Sequence, residues 1–125
     1  MKLFDSSVLI AHLRGVGPAT DLLREAVREN EAGCSVLSRV EIEGGMRSAE
    51  RSAVARLFDS LQVEPVTDVI ARRAGERLRA YRRSHPGVDV VDYVIAATAE
   101  VQGAELLTLN VKHFPMVPGL QPAFR

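Results

Sequence analysis

The chain has 125 residues, 46% of them hydrophobic and 26% charged, which is the balance of one ordinary globular domain. Its formal net charge is zero, so any nucleic-acid partner must be recognised by local patches and not by overall basicity. The single cysteine, Cys34, excludes an intrachain disulfide and a cysteine-based metal cluster, and no stretch reaches the roughly 18 apolar residues of a membrane span. We therefore expect a cytoplasmic protein, with Cys34 as a buried structural thiol.

The chain begins with a short apolar run that ends on an acid. Residues 3–4 predict a buried strand, and Asp5 follows it directly. Ser6 or Ser7 is placed to cap a short helix behind that strand. Apolar residues then recur at helical spacing over 18–30 and predict an amphipathic helix.

The middle of the chain repeats this order of strand and helix. Residues 33–37 form an apolar run that predicts a second strand. The segment from Ser38 to Glu41 matches a Ser-x-x-Glu capping box, which predicts a helix beginning at Ser38. A further amphipathic helix is predicted over 50–61 and a short strand over 62–66.

The last part of the chain adds two long helices and a strand. Thr67 is predicted to cap an Arg-rich helix, and 89–101 reads as a helix that is apolar almost all round, as in a helix buried between layers. A strand is predicted over 105–109, and 120–124 could add an edge strand. Alternating strands and helices predict a three-layer α/β/α domain, 1–125, around a mainly parallel sheet of four to five short strands.

Four polar residues stand next to apolar segments and need an explanation: Asp5, Glu41, Asp92 and Asn110. Each also has an ordinary structural interpretation, as a helix cap, a capping-box acid, an acid favoured by a helix dipole or a turn residue. A parallel sheet, however, brings its strand ends and the first turns of the following helices to one rim. This rim therefore gathers three carboxylates and an amide, and the carboxylates would repel one another unless a cation intervened. All-oxygen ligation favours Mg²⁺ or Mn²⁺ and thus metal-dependent phosphoryl chemistry.

Several segments together resemble a known family. These are Asp5-Ser6-Ser7 after a strand, the segment 35–42 that contains Glu41, the Asp-x-x-Ile-Ala-Ala-x-Ala segment 92–99, and Leu-Thr-Leu-Asn at 107–110 with Phe114. In this order and spacing they resemble the PIN-domain ribonucleases and, more narrowly, the VapC toxins of bacterial toxin–antitoxin pairs. The resemblance covers residues 1 to about 120.

The resemblance implies a Mg²⁺- or Mn²⁺-dependent endoribonuclease that hydrolyses structured RNA, either tRNA or rRNA, with a metal-activated water. The family's metal-binding acids fall on Asp5, Glu41 and Asp92, and its variable fourth catalytic position falls on Asn110. Ser6 matches the hydroxyl residue that helps to order the site.

Other polar residues receive supporting or structural assignments. Asp89 either reaches the site through water or caps the helix that carries Asp92. The Arg-rich helix offers Arg72, Arg79 and Arg83 as RNA contacts, although these arginines could equally form a solvated helix face. A metal-activated water needs no general-base histidine, so His12 and His113 are interpreted as packing or surface groups. Many relatives carry an acid where this chain has His113.

The resemblance further implies a VapB-like antitoxin whose segment packs in a groove and blocks the site. It also implies a homodimer and allows larger toxin–antitoxin assemblies. Helices 18–30 and 50–61 have apolar residues that would suit such interfaces. Two other functions stay open, a non-catalytic PIN-like module that binds RNA or protein and an aspartyl-phosphate phosphotransfer domain. The second usually needs another Asp where Ser7 stands.

Overall fold

Four short parallel strands form one sheet in the order β3-β2-β1-β4, and the computed structural model describes all residues, 1–125. The strands are β1 (Lys2–Phe4), β2 (Ala32–Ser35), β3 (Gln62–Glu64) and β4 (Glu105–Leu107). β1 pairs in parallel with both β2 and β4, so it lies inside the sheet. The predicted α/β class and parallel sheet are confirmed.

Six helices cover the two faces of this sheet. They are α1 (Ser6–Leu13), α2 (Gly17–Arg28), α3 (Val36–Gly45), α4 (Arg51–Asp59), α5 (Asp68–Tyr81) and α6 (Val90–Gln102). Single 3₁₀ turns occur at Ser48–Glu50 and Val111–His113. No helix combines the length and apolar character that a membrane crossing requires.

The side chains of β1 divide the core into two parts. Phe4 belongs to a cluster with residues of α1 to α4, and its neighbour Leu3 belongs to a second cluster with residues of α5 and α6. Successive side chains of a strand point to opposite faces of the sheet. The two clusters are therefore the two interfaces of a three-layer α/β/α fold, as the sequence predicts.

Helix ends follow the expected chemistry at three positions. Thr67 accepts a 3.2 Å hydrogen bond from the N–H of Ile70 and caps α5. The Asp89 carboxylate accepts a 2.9 Å bond from the N–H of Val91 and caps α6. Gly103 ends α6 with φ of 64°, a left-handed conformation that glycine adopts without strain. Cys34 is fully buried as predicted, and burial raises the pKa of its thiol to about 12.

The predicted start of α3 is wrong by one helical turn. Ser35, not Ser38, is the cap, and its hydroxyl accepts a 3.1 Å bond from the N–H of Leu37. Ser38 lies inside the helix, with its hydroxyl buried and without a partner. Glu41 is consequently in the second turn of α3, and the prediction that it occupies the first turn is wrong. The Ser-x-x-Glu pattern was misleading because Ser35 ends β2 in an extended conformation and reaches the free N–H groups first.

Two further expectations need correction. Neither Ser6 nor Ser7 caps α1, because the cap position belongs to Asp5 and both serines lie in the helix. The segment 120–124 is not an edge strand. Its N–H at Ala123 donates a 2.8 Å bond to the carbonyl of Thr108, and Ala123 and Phe124 pack on the core as irregular chain.

Candidate active site

Asp5 sits where β1 runs into α1 and is almost completely buried, with 5% of its surface exposed. It occupies the cap position of α1, but its side chain makes no capping hydrogen bond. The carboxylate oxygen Oδ2 instead accepts a 2.9 Å bond from Ser7 and a 2.7 Å bond from Thr108. The ordinary interpretation of Asp5 as a side-chain helix cap is therefore wrong, and the two hydroxyls compensate the burial of its charge.

Glu41 is joined to the first turn of α1 by a hydrogen bond. The hydroxyl of Ser6 donates to Oε1 of Glu41 at 2.9 Å, across 35 residues of sequence. Ser6 is buried, whereas Glu41 is exposed on α3. The hydroxyl of Ser6 therefore orients the carboxylate of Glu41, which stays exposed to solvent.

Asp92 is the third residue of α6, and its side chain is only 16% exposed. The pKa of its carboxyl is raised to about 6, mainly by burial. His113 lowers this pKa, and the negative charges of Asp5, Asp89 and Glu41 contribute to raising it. The predicted position in the first helical turn is confirmed. The influence of the other three acids on this pKa shows that they lie in the same region of the molecule.

His113 contributes a basic group to this acidic region. Its Nδ1 lies 3.4 Å from Oδ2 of Asp92, while 53% of the side chain is exposed. His113 is thus exposed, as its interpretation as a surface group requires, but the sequence did not reveal its contact with Asp92. His12 is a packing group as interpreted, since its Nδ1 lies 2.8 Å from the hydroxyl of Thr20 and burial lowers its pKa.

The remaining two predicted site residues lie at the edge of the site. Asn110 follows β4 and is exposed, and its backbone N–H donates a 3.0 Å bond to the hydroxyl of Thr108. Its side chain makes no capping hydrogen bond to the 3₁₀ turn that follows it. Asp89 caps α6, as in the second of its two predicted alternatives, and also raises the pKa of Asp92.

The donor set suits a hard divalent cation, although the side chains do not enclose an ion as they stand. All the acidic ligands offered are carboxylate oxygens, which is the chemistry that Mg²⁺ and Mn²⁺ prefer. No group of three or more His, Cys, Asp or Glu side chains is arranged so that it could hold an ion. Like charges repel in the absence of a cation, and the raised pKa of Asp92 expresses that repulsion as well as burial. The metal assignment of Asp5, Glu41 and Asp92 stays a prediction.

The two hydroxyls that hold Asp5 were missed from the sequence. Ser7 lies two residues from Asp5 but was interpreted as a possible helix cap, as part of a family motif and as an argument against phosphotransfer. Thr108 was noted only as part of a family motif. Thr108 is fully buried next to the end of β4. A buried threonine at the end of a predicted core strand was the available signal, because such a hydroxyl needs a partner.

The predicted RNA-contacting arginines do not share one location. Arg72 lies in the first turns of α5 and pairs with Asp68 at 3.0 Å, both side chains being about four-fifths exposed. Arg79 is exposed near the other end of this helix, Arg83 is exposed two residues beyond that end, and neither makes an ion pair. That end leads through the segment 82–89 into the first turn of α6, where Asp92 lies.

Comparison with known proteins places this fold and site in a family. A family model described as the PIN domain matches residues 2–119. Ribonuclease VapC10 of Mycobacterium tuberculosis is 56% identical over 124 residues, which cover 99% of this chain and 93% of the relative. Ribonuclease VapC19 of the same organism is 46% identical over 125 residues, covering 99% of this chain and 100% of the relative. The chain belongs to the PIN-domain family and, within it, to the VapC ribonucleases.

Solved structures with the same fold come from toxin–antitoxin complexes. A toxin–antitoxin complex from Klebsiella pneumoniae matches with a TM-score of 0.79 and 23% identity, covering 100% of this chain and 99% of that one. A DNA-bound VapBC from Salmonella typhimurium matches with a TM-score of 0.81 and 19% identity, covering 98% and 96%. At these identities the similarity establishes the fold.

Proposed function

We propose that this chain is a Mg²⁺- or Mn²⁺-dependent endoribonuclease and the toxin of a toxin–antitoxin pair. The observation that carries the proposal is the arrangement of three acids. Asp5 follows β1 and Asp92 lies in the first turn of α6, while Glu41 accepts a 2.9 Å hydrogen bond from Ser6, the residue after Asp5. The contribution of the Asp5 and Glu41 charges to the raised pKa of Asp92 supports this arrangement. The names of the relatives, both ribonucleases, support the same reaction.

The chain's own residues would hold and orient the reacting groups. Asp5, Glu41 and Asp92 supply carboxylate ligands, and the positive end of α6 favours the ionised form of Asp92. A divalent ion held there lowers the pKa of a water and offsets charge on the phosphate during hydrolysis. Ser6 fixes Glu41 from below, and the exposed Glu41 and Asn110 leave the site open to a large substrate.

We propose that RNA contacts the protein at the C-terminal end of α5, which leads towards the site. Arg79 and Arg83 are exposed and free of ion pairs there, while Arg72 is about seven residues, or roughly 10 Å, further along the helix from Arg79. We therefore retain Arg79 and Arg83 and assign Arg72 to a solvated face. Contacts of this kind bind phosphates without reading bases. With no Trp and two Tyr, the chain offers little base stacking, which favours a structured substrate such as tRNA or rRNA.

The proposed antitoxin site is a groove along α1, α2 and α4. A cavity of about 540 Å³ there is lined by apolar side chains and by basic ones, with no acid among them. The basic residues are His12, Arg24, Arg28 and Arg56. A second cavity of about 510 Å³ shares Leu13 with the first and reaches Glu41. A helical antitoxin segment with apolar and acidic residues would fit the first cavity, and the chain after it could extend to the site.

The homodimer stays part of the proposal, without an assigned surface. The solved relatives are toxin–antitoxin assemblies, and two of them contain DNA, which supports a VapB-like partner and larger complexes for this chain.

The test of the proposed reaction is cleavage of cellular RNA by purified protein with Mg²⁺, with Mn²⁺ and with EDTA. Cleavage is expected only with metal and is expected to fall at least about 100-fold in Asp5→Asn, because a ligand charge is lost. Glu43→Gln is the matched control, since Glu43 is an exposed acid of α3 that pairs with Arg39. Cleavage in EDTA, or full activity of Asp5→Asn, would contradict the mechanism. RNA binding without cleavage would favour a non-catalytic module.

A further inference from the structure

We propose that Ser7 and Thr108 are positioning residues that decide which oxygen of Asp5 is available to a metal ion, an inference that rests on the proposed function. Ser7 Oγ donates to Asp5 Oδ2 at 2.9 Å, and Thr108 Oγ1 donates to the same oxygen at 2.7 Å. The other oxygen, Oδ1, accepts no hydrogen bond and is not sealed from solvent. Asp5 is thereby left with one free oxygen that solvent can reach.

The direction of both hydroxyl protons is set by the backbone after β4. The N–H of Leu109 donates to Ser7 Oγ at 3.0 Å, and the N–H of Asn110 donates to Thr108 Oγ1 at 3.0 Å. A hydroxyl has a single proton, so a hydroxyl whose lone pair is already used directs that proton to the remaining acceptor. In both cases the nearest such acceptor is Asp5 Oδ2, at 2.9 Å from Ser7 and 2.7 Å from Thr108, whereas the other hydroxyl is 3.4 Å away.

The hydrogen bonds from Ser7 and Thr108 to Asp5 lie in a buried region, where such bonds are strong. Thr108 is fully buried, Asp5 is 5% exposed, and the two hydroxyl oxygens lie 3.4 Å apart. Hydrogen bonds to an ionised carboxylate are stronger than neutral ones, and low polarity strengthens them further. Two such bonds on one oxygen hold the carboxylate plane against rotation. Asp5 is therefore presented as a one-oxygen ligand with a fixed direction.

A merely structural role would make a different prediction, because buried threonine hydroxyls also stabilise folds. Thr98 provides the comparison. It is fully buried, and its Oγ1 donates a 2.7 Å bond to the carbonyl of Val94 within α6, away from every carboxylate of the site. Removal of this hydroxyl costs a buried hydrogen bond without touching Asp5.

The experiment measures Mn²⁺ binding to the full chain by electron paramagnetic resonance, together with melting temperature and RNA cleavage. Thr108→Val is expected to weaken Mn²⁺ binding by about 10-fold or more, as for other groups that orient metal ligands. Ser7→Ala should weaken binding in the same direction. Thr108→Ser, which keeps the hydroxyl, should restore binding close to that of the unchanged chain. Thr98→Val should lower the melting temperature and leave Mn²⁺ binding unaltered.

Unaltered Mn²⁺ binding in Thr108→Val, or an equal loss in Thr98→Val, would overturn the inference. If Thr108→Val fails to fold, Ser7→Ala and Thr108→Ser decide the question by the same readout. The affinities decide the inference even if the unchanged chain cleaves no RNA, an outcome that would overturn only the proposed function. A chain that binds no Mn²⁺ at all would overturn both.

Discussion

Nδ1 of His113 lies 3.4 Å from Oδ2 of Asp92, so a basic side chain from the turn after β4 contacts the acid in the first turn of α6. Burial is the largest influence on the pKa of Asp92 and raises it to about 6, whereas the charge of His113 lowers it. His113 therefore favours the ionised form of Asp92, although about half of its own side chain is exposed to solvent.

Substitution His113→Gln is expected to raise the pKa of Asp92, because the nearby positive charge is removed. The acid limb of RNA cleavage should then shift to higher pH, while activity near pH 8 is retained because Asp92 is ionised there in both proteins. Profiles of kcat/KM against pH measure the shift. His12→Gln is the control, since His12 contacts Thr20 and not the site. Superimposable profiles for His113→Gln and the unchanged chain would contradict this role.

The stability of the metal-free chain should carry the signature of Asp92. Its folded pKa of about 6 lies above the ordinary value of 3.8, so between these values the folded chain binds the proton more tightly than the unfolded chain. This contribution is present at low pH and is lost as the pH rises to about 6. Asp92→Asn should remove this loss of stability, so we expect its free energy of unfolding at pH 7 to exceed that of the unchanged chain by about 2 kcal/mol. At pH 4 this difference should be smaller. Urea unfolding in EDTA measures both, with Glu43→Gln as the matched carboxylate-to-amide control.

A divalent cation should reverse this pH dependence. Metal binding requires ionised ligands, so the proton on Asp92 competes with Mg²⁺ or Mn²⁺ below about pH 6. The increase in Tm caused by Mg²⁺ at about 5–10 mM should therefore be larger at pH 7 than at pH 5. Calorimetry of Mn²⁺ binding should also show release of protons near pH 6. An equal increase in Tm at both pH values would argue against Asp92 as a ligand.

Charge reversal in the groove of α1, α2 and α4 should separate antitoxin binding from catalysis. The double substitution Arg24→Glu and Arg28→Glu places acids where the cavity has only basic groups. We expect binding of the cognate antitoxin to weaken by about 10-fold or more, because like charges then face each other. RNA cleavage by the free protein should be unchanged. Binding is measured with the cognate antitoxin, and unaltered affinity would place the antitoxin elsewhere.

The end of α5 nearest to Asp92 should control RNA affinity. Arg79→Glu and Arg83→Glu are each expected to raise KM for RNA by about 10-fold and to reduce its dependence on salt, since fewer phosphates are neutralised. Arg72→Glu is the matched control at the far end of the same helix, where the residue pairs only with Asp68. An equal effect of Arg72→Glu would show that charge on α5 matters without regard to position.

The sequence allowed the main parts of the site to be predicted because they obey local rules. Asp5 follows an apolar strand, and Asp92 begins an apolar helix capped by Asp89. Parallel strand order then brings these ends to one rim. The prediction failed where two local signals competed, as for Ser35 and Ser38, because spacing alone does not show which serine ends the strand.

The hydrogen bonds that fix the acids could not be predicted in this way. Ser6 meets Glu41 across 35 residues, and Thr108 meets Asp5 across 103. Such contacts depend on how α1, α3 and the turn after β4 are set against one another, to within an ångström. The contact of His113 with Asp92 is of the same kind, and an exposed histidine carries no pattern that would reveal it.

The order of the strands has a consequence for the stage of synthesis at which the candidate active site can form. β1 is complete after the first residues are synthesised, but one of its two neighbours, β4, is at Glu105–Leu107. The N–H of Asp5 is bonded to the carbonyl of Leu107, and its carboxylate to Thr108. A nascent chain therefore lacks both supports until Thr108 has left the ribosome. Because α1, α2 and α4 precede β4 in the chain, the helices of the proposed antitoxin groove are synthesised before the candidate active site can be completed.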